Sequence, residues 1–256
     1  MACGVSSSVS GLHRITRIET AQGRFIRREW ASADIGALLG IDPQIEVAAQ
    51  RMAARLGLAP EVVDFDADSR VMLMQHVEGV PLESDWWRRP ARRVQMRDVL
   101  ERLREIRSPS LPTLDIPRRV STLLESLEAR DPHLAATRRG AVQSCLSRWS
   151  MATDGDEVMV HGDLTPPNIL VRADGSWCLL DWEYAHRGHA DEDLAGLAGE
   201  DPELARWAQA PQEFAVRREA RSLLDTLWRD LAASVTGAAP VASSVGPGQT
   251  TPPAAP

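Results

Sequence analysis

Apolar positions along the chain change their period in a definite order. From 11 to 30, GLHRITRIETAQGRFIRREW alternates imperfectly and predicts two strands joined by a turn at Ala21 to Gly23. Asp42 then offers a helix cap with Pro43 at the first helical position. Ile45, Ala48, Ala49, Met52 and Leu56 recur at helical spacing, and Gly57 stops the helix. Residues 61–67 and 70–78 read as two more strands, with EGVP (78–81) as a connector. The pattern becomes helical after that. Val94, Val99, Leu100, Leu103 and Ile106 mark one helix, Val120, Leu123, Leu124 and Leu127 a second, and Leu134, Val142, Cys145, Leu146 and Trp149 a third over about 133–150. Short apolar strands return near 158–185, with an Asp-Gly turn at Asp174 and Gly175. A last helical stretch begins near 202 and carries Phe214, Leu223, Leu224, Leu227 and Leu231. From 236 the chain has no apolar period and predicts a disordered tail.

The segment between the strands carries the chemistry. VMVHGDLTPPNILV (158–171) sets His161, Asp163 and Asn168 in a polar loop between apolar strands, and Asp181 follows in CLLDWEYA. Pro166 and Pro167 favour a fixed, non-helical path between Asp163 and Asn168. A rigid loop suits a catalytic carboxylate. Phosphoryl transfer from a magnesium-bound nucleoside triphosphate needs hard oxygen ligands and a carboxylate to accept the hydroxyl proton. Asp163 fits the second need, and Asn168 and Asp181 the first. The plain alternative is a surface turn followed by a strand-end acid, which leaves the common placement of four polar residues to accident.

HxDxxxxN with an acid on the next strand is the pattern of the protein-kinase catalytic loop and its metal-binding Asp. Here Gly162 stands where a protein kinase has Arg, and Trp182 and Glu183 follow Asp181 where it has Phe and Gly. The segment instead resembles the kinase-like small-molecule phosphotransferases: choline kinases, thiamine kinases and aminoglycoside phosphotransferases. DWEYA followed by Asp193, Leu194 and Ala195 looks most like the choline and thiamine kinase branch. The resemblance implies an α+β, bilobal, protein-kinase-like fold. Residues 1–78 would form a small antiparallel-sheet lobe with one helix, 79–235 a mainly helical lobe, and 236–256 the tail.

All 29 basic residues are Arg, so only an Arg can stand where protein kinases place a Lys on the nucleotide phosphates. Alternation in GRFIRREW puts Ile26 and Arg28 on one face. The resemblance aligns Arg28 with the phosphate-binding Arg of choline-kinase-like enzymes, makes Glu46 the acid that orients it, and sets Ile26 over the base. No GxGxxG is present; SSSVSGLHR (6–14), with Gly11, is the expected phosphate-covering loop. Met74 to Gly79 resembles the hinge that binds adenine, with Gln75 and Val77 as hinge candidates. ATP and Mg²⁺ are the implied cofactors. His161 is expected to support the loop more than to react, and Asp193 to contact it or cap a helix.

The acceptor is the less determined part. A quaternary ammonium is best held by aromatic faces and carboxylates. Trp182, Glu183, Tyr184 and Asp193 are the expected acceptor contacts. Asp191, Glu192, Glu200, Asp201 and Glu203 supply further acid, and Trp207, Phe214 and Trp228 further aromatic surface. The expected activity is transfer of the γ-phosphate of ATP to a hydroxyl of a small, cationic, choline- or thiamine-like molecule. The alternatives are an aminoglycoside O-phosphotransferase or a nucleotide-binding scaffold without transfer activity. A net charge of −7 without a basic stripe argues against a nucleic-acid partner. No run approaches a membrane span, the start MACGVSSSVS does not read as a signal peptide, and Cys3, Cys145 and Cys178 lack metal-ligand spacing. A cytoplasmic protein with reduced thiols is the expectation.

Overall fold

The computed structural model describes residues 5–10, 12–107, 110–149, 157–198, 202–209 and 211–236. Strands β1 (Val5–Ser10), β2 (His13–Thr20), β3 (Gly23–Glu29), β4 (Val62–Asp66) and β5 (Val71–Gln75) form one antiparallel sheet in the order β1-β2-β3-β5-β4. Between β3 and β4 lie helices α1 (Ala33–Leu39) and α2 (Pro43–Arg55). Helix α2 starts as its residues dictate: the Asp42 carboxylate accepts the Gln44 N–H at 2.8 Å, and Pro43 needs no partner for the N–H it lacks. It stops where Gly57 takes φ 69°, a left-handed conformation that costs glycine little.

The rest is mainly helical. Strand β6 (Val80–Pro81) leads to α3 (Pro90–Glu105), α4 (Ile116–Glu128) and α5 (Pro132–Trp149). The short strands β7 (Glu157–Val160), β8 (Ile169–Val171), β9 (Trp177–Leu179) and β10 (His186–His189) follow. The chain then forms α6 (Glu192–Ala198), α7 (Pro202–Ala205) and the long α8 (Pro211–Thr236). Strands β7 and β10 pair with each other, and β6, β8 and β9 form a second small sheet. Both are antiparallel. The protein is thus α+β, with the expected sheet-then-helix order. No helix among the described residues is long and apolar enough to cross a membrane.

Three expectations change. Residues 6–10 of the expected phosphate-covering loop (6–14) belong to strand β1 on the edge of the sheet, and residues 13 and 14 to β2, its antiparallel partner. Gly11 itself lies outside the described residues. Helix α1 was not visible as a period, being only seven residues long. Val94, assigned to the buried stripe of α3, points outward and is 69% exposed. The tail from 237 also lies outside the described residues, and Thr236 still belongs to α8.

Two apolar cores meet along α2. Ala49 and Ala53 of α2 join α3, β7 to β9 and Trp182 in one; Val47 of α2 joins Trp30, Met72, α4, α5 and α8 in the other. Helix α2 therefore ties the sheet to the helical part through opposite flanks. Trp182 is fully buried, with its indole N–H donating to the Leu179 carbonyl. Trp182→Ala is expected to lower the unfolding free energy by about 3–5 kcal/mol, read from urea melts. A loss below about 1 kcal/mol would mean that this core does not depend on it.

Candidate active site

The loop after β7 is built on one carboxylate. Asp193, in the first turn of α6, accepts the backbone N–H of His161 at 2.8 Å and of Gly162 at 2.9 Å. Gly162 adopts φ 81°, and a Cβ there would stand 2.8 Å from the Tyr184 carbonyl carbon. No other residue fits that approach. His161 is wholly buried against Trp182, ring centroids 4.3 Å apart. Its Nδ1 accepts the Asp163 N–H at 3.2 Å, so Nε2 carries the proton and donates to the Leu180 carbonyl at 3.0 Å. Burial holds the imidazole neutral, its pKa down to about 4. His161 thus fixes the loop from behind.

Asp163 sits on the open side of this loop. Asn168, in the 3-10 turn at Pro166–Asn168, donates through Nδ2 to Asp163 Oδ2 at 2.8 Å and to its backbone carbonyl at 2.9 Å. Arg221 of α8 donates to Asp163 Oδ1 at 3.1 Å and pairs with Asp225 at the same distance. Burial pushes the Asp163 carboxyl up to about 6, against the pull of Arg221 and with the help of Asp225 and Asp181.

A second cluster centres on Arg28. On β3, antiparallel pairing sets it between Ile15 of β2 and Met72 of β5, and it is buried. Its Nη2 donates to Asp181 Oδ1 and Glu183 Oε2, each at 2.8 Å, and its Nε lies 3.1 Å from Glu46 Oε1. Glu46 also accepts the Trp30 indole N–H at 2.6 Å. His13 of β2 takes the Ala31 N–H on Nδ1 and donates from Nε2 to Glu183 at 2.7 Å. Three carboxylates share one guanidinium, and burial pushes Glu46 up to about 8 and Glu183 up to about 7. Asp181 adopts φ 63°, an unfavoured conformation for a non-glycine residue.

Both clusters open on one cavity of about 890 Å³, bounded by the 112–114 segment, α4, α8 and the stretch 181–186, with Leu12, His13, Asp163, Asp181, Glu183 and Tyr184 in its wall. Tyr184 and Trp228 meet edge to face there, centroids 5.9 Å apart. Glu183, Tyr184 and Trp228 are thus the expected acceptor contacts that line this cavity among the described residues. Trp182 is core, and Asp193 is buried under the loop. Trp207 and Phe214 pack in the core of α3 and β7 to β9. Asp191 is buried, Glu192 accepts from His186 at 2.8 Å, and the exposed Glu203 pairs with Arg93. Glu200 and Asp201 lie outside the described residues. Gln75 donates its backbone N–H to the Glu61 carbonyl and its side chain to the Glu61 carboxylate, so it serves the sheet. Ile26 and Val77 are half-buried and do not line the cavity.

Arg221, Asp225, His13 and Arg119 were missed from sequence. Only Arg221 and Asp225 left a signal, an i,i+4 pair on a helix, and such pairs occur on many solvated faces.

The profile of the phosphotransferase enzyme family, APH, matches residues 13–233. No curated protein matches the chain in sequence. Among solved structures, the choline kinase LicA from Streptococcus pneumoniae superposes with a TM-score of 0.70 at 16% identity, over 92% of this chain and 87% of that one. A choline/ethanolamine kinase family protein from Mesorhizobium loti gives 0.63 at 21% identity, over 88% and 78%. A thermostable mutant of an aminoglycoside phosphotransferase, in a ternary complex with ADP and hygromycin B, gives 0.63 at 16%, over 91% and 88%. At these identities the likeness is one of fold, the kinase-like fold expected above. With the family profile spanning most of its length, the chain belongs to the phosphotransferase enzyme family.

Proposed function

We propose that the protein transfers the γ-phosphoryl group of ATP to a hydroxyl of a small molecule held in the cavity. The carrying observation is that Asp163, pinned by Asn168 and Arg221, and Asp181, pinned by Arg28, line the same cavity. Asp163 is the base: it accepts the hydroxyl proton as the acceptor oxygen bonds to phosphorus and the bond to the β–γ bridging oxygen breaks, releasing ADP. Arg28 is the phosphate cation and Glu46 its orienting partner. The nucleotide is assigned between the sheet part, 1–78, and the helical part, 79–235. The similar structures solved with AMP and with ADP support a nucleotide there.

The donors fit magnesium. Asn168 commits its Nδ2 to Asp163, which leaves its amide oxygen as an acceptor, and Asp181 commits Oδ1 to Arg28, which leaves Oδ2. One carboxylate and one amide oxygen suit an ion that keeps waters and phosphate oxygens. When bound, the metal would neutralise charge spreading over the phosphates. For a cationic acceptor, choline- or aminoglycoside-like as in the similar structures, Tyr184, Trp228 and Asp225 supply aromatic and acidic contacts in the cavity.

Asp163→Asn is expected to leave nucleotide affinity intact and cut kcat by about a hundred- to ten-thousand-fold. ADP release from purified protein, magnesium ATP and a panel of choline, ethanolamine, thiamine, aminoglycosides and sugars measures it; wild-type turnover in the variant would remove Asp163 from the role. Asp181→Ala is expected to abolish the magnesium dependence of nucleotide binding in calorimetric titrations. Equal wild-type affinity with and without magnesium would defeat the metal assignment.

The base must be ionised to act, and Asp163 titrates near 6. Acceptor kcat/KM therefore falls about tenfold per pH unit below about pH 6 and is level above it. Arg221→Ala removes the charge that opposes burial, so the acid limb moves to higher pH. A limb that stays in place would show that Arg221 does not act on Asp163.

A further inference from the structure

The acids that line the cavity already have their counter-charges within the protein. Asp163 and Asp225 share Arg221, and Asp181 and Glu183 share Arg28. Arg119 differs. It projects from α4 into the cavity wall, and among the described residues no carboxylate lies within 4 Å of it. Its guanidinium donates to the Leu39 carbonyl at the end of α1 and lies across Gly40, which adopts φ 72°. A Cβ on Gly40 would stand 2.6 Å from Arg119 Cζ, so a side chain there would displace the guanidinium from its present place.

This cation is partly removed from water, and burial lowers its pKa against an opposing contribution from Tyr184. The Leu39 carbonyl, at the end of a seven-residue helix, offers a fraction of a charge. One of five guanidinium N–H groups meets it, which leaves donors in the planar geometry that suits carboxylate or phosphate. Arg229, exposed, adds positive charge to the same cavity; its Nε donates to the Asp225 carbonyl and not to the carboxylate. A desolvated charge is costly until an opposite charge meets it.

We propose that the acceptor carries an anionic group, a carboxylate or a phosphate, besides the hydroxyl it presents to Asp163, and that Arg119 binds it. This rests on the phosphotransfer reading for the hydroxyl, but not for the anion. It narrows the acceptor from a simple cationic alcohol to an anionic or zwitterionic one.

Serine, glycerate and glycerol 3-phosphate serve as anionic alcohols, with choline, ethanolamine and glycerol as controls. Binding is read by calorimetry on the full-length Asp163→Asn protein, and turnover by ADP release from wild type. At least one anionic alcohol is expected to bind and to accept phosphate, and glycerate against glycerol 3-phosphate tells carboxylate from phosphate. Arg119→Gln should raise its KM roughly 10- to 100-fold, with kcat and nucleotide affinity changed little. Arg119→Lys, which keeps the charge and supports the α1 end, should recover part of the loss; a purely structural role would instead move melting temperature and nucleotide affinity together. Arg119-dependent binding of an anion without phosphate transfer upholds the anion site and sinks the phosphotransfer reading. Turnover of choline, ethanolamine or glycerol at an unchanged KM in Arg119→Gln overturns the anion site. So does the absence of Arg119-dependent binding by any of the three anionic alcohols.

Discussion

A single guanidinium, that of Arg28, holds three separate stretches of chain against one another. It reaches Asp181 and Glu183 beyond β9 and Glu46 on α2 from its place in β3. The arrangement is held from both sides, because Trp30 and His13 donate to Glu46 and Glu183 in turn. Removing one member of such a buried set costs about 3–5 kcal/mol, since the remaining charges are left without compensation. The sheet, α2 and the Asp181 turn therefore cannot move independently without breaking it. Burial pushes Glu46 and Glu183 toward neutrality, and the neighbouring carboxylates add to it, since one cation serves three acids.

The loop of Asp163 obeys a different constraint, close approach. Gly162 passes too near the Tyr184 carbonyl for any side chain, and the two amides exposed by that path are taken by Asp193. His161 fastens the same loop to Leu180, next to Asp181. Both carboxylates at the cavity are thus anchored through backbone contacts behind them. Their side chains remain directed by Asn168, Arg221 and Arg28. Asp163 is balanced between burial, which raises its pKa, and Arg221, which lowers it. That balance places the titration of the carboxyl at about 6.

Much of this was legible in the residues. The period-two and helical stretches mark β2 to β5, α2, α4 and α5 within a few positions, since alternation and the 3.6 period report which side of an element is buried. The polar loop between apolar strands marks Asp163, Asn168 and Asp181, and the absence of Lys points to Arg28. The misses have a common cause. Trp182, Tyr184 and Trp228 are all large aromatics near the site, yet Trp182 is core while the other two face the cavity. Period tells buried from exposed; it does not tell a core from a cavity wall.

The sequence by itself determined the order of elements, the polar loop that carries Asp163 and Asn168, and that every long-chain cation is an Arg, because these are written in neighbouring residues and in composition. Only the tertiary structure decided that Arg28 meets Asp181 across 153 positions, that Arg221 from α8 holds Asp163, and that Arg119 stands in the cavity wall with no acid of the described residues beside it. Those relations join residues far apart in the chain, and a local pattern contains no record of which distant charge will be brought within about 3 Å.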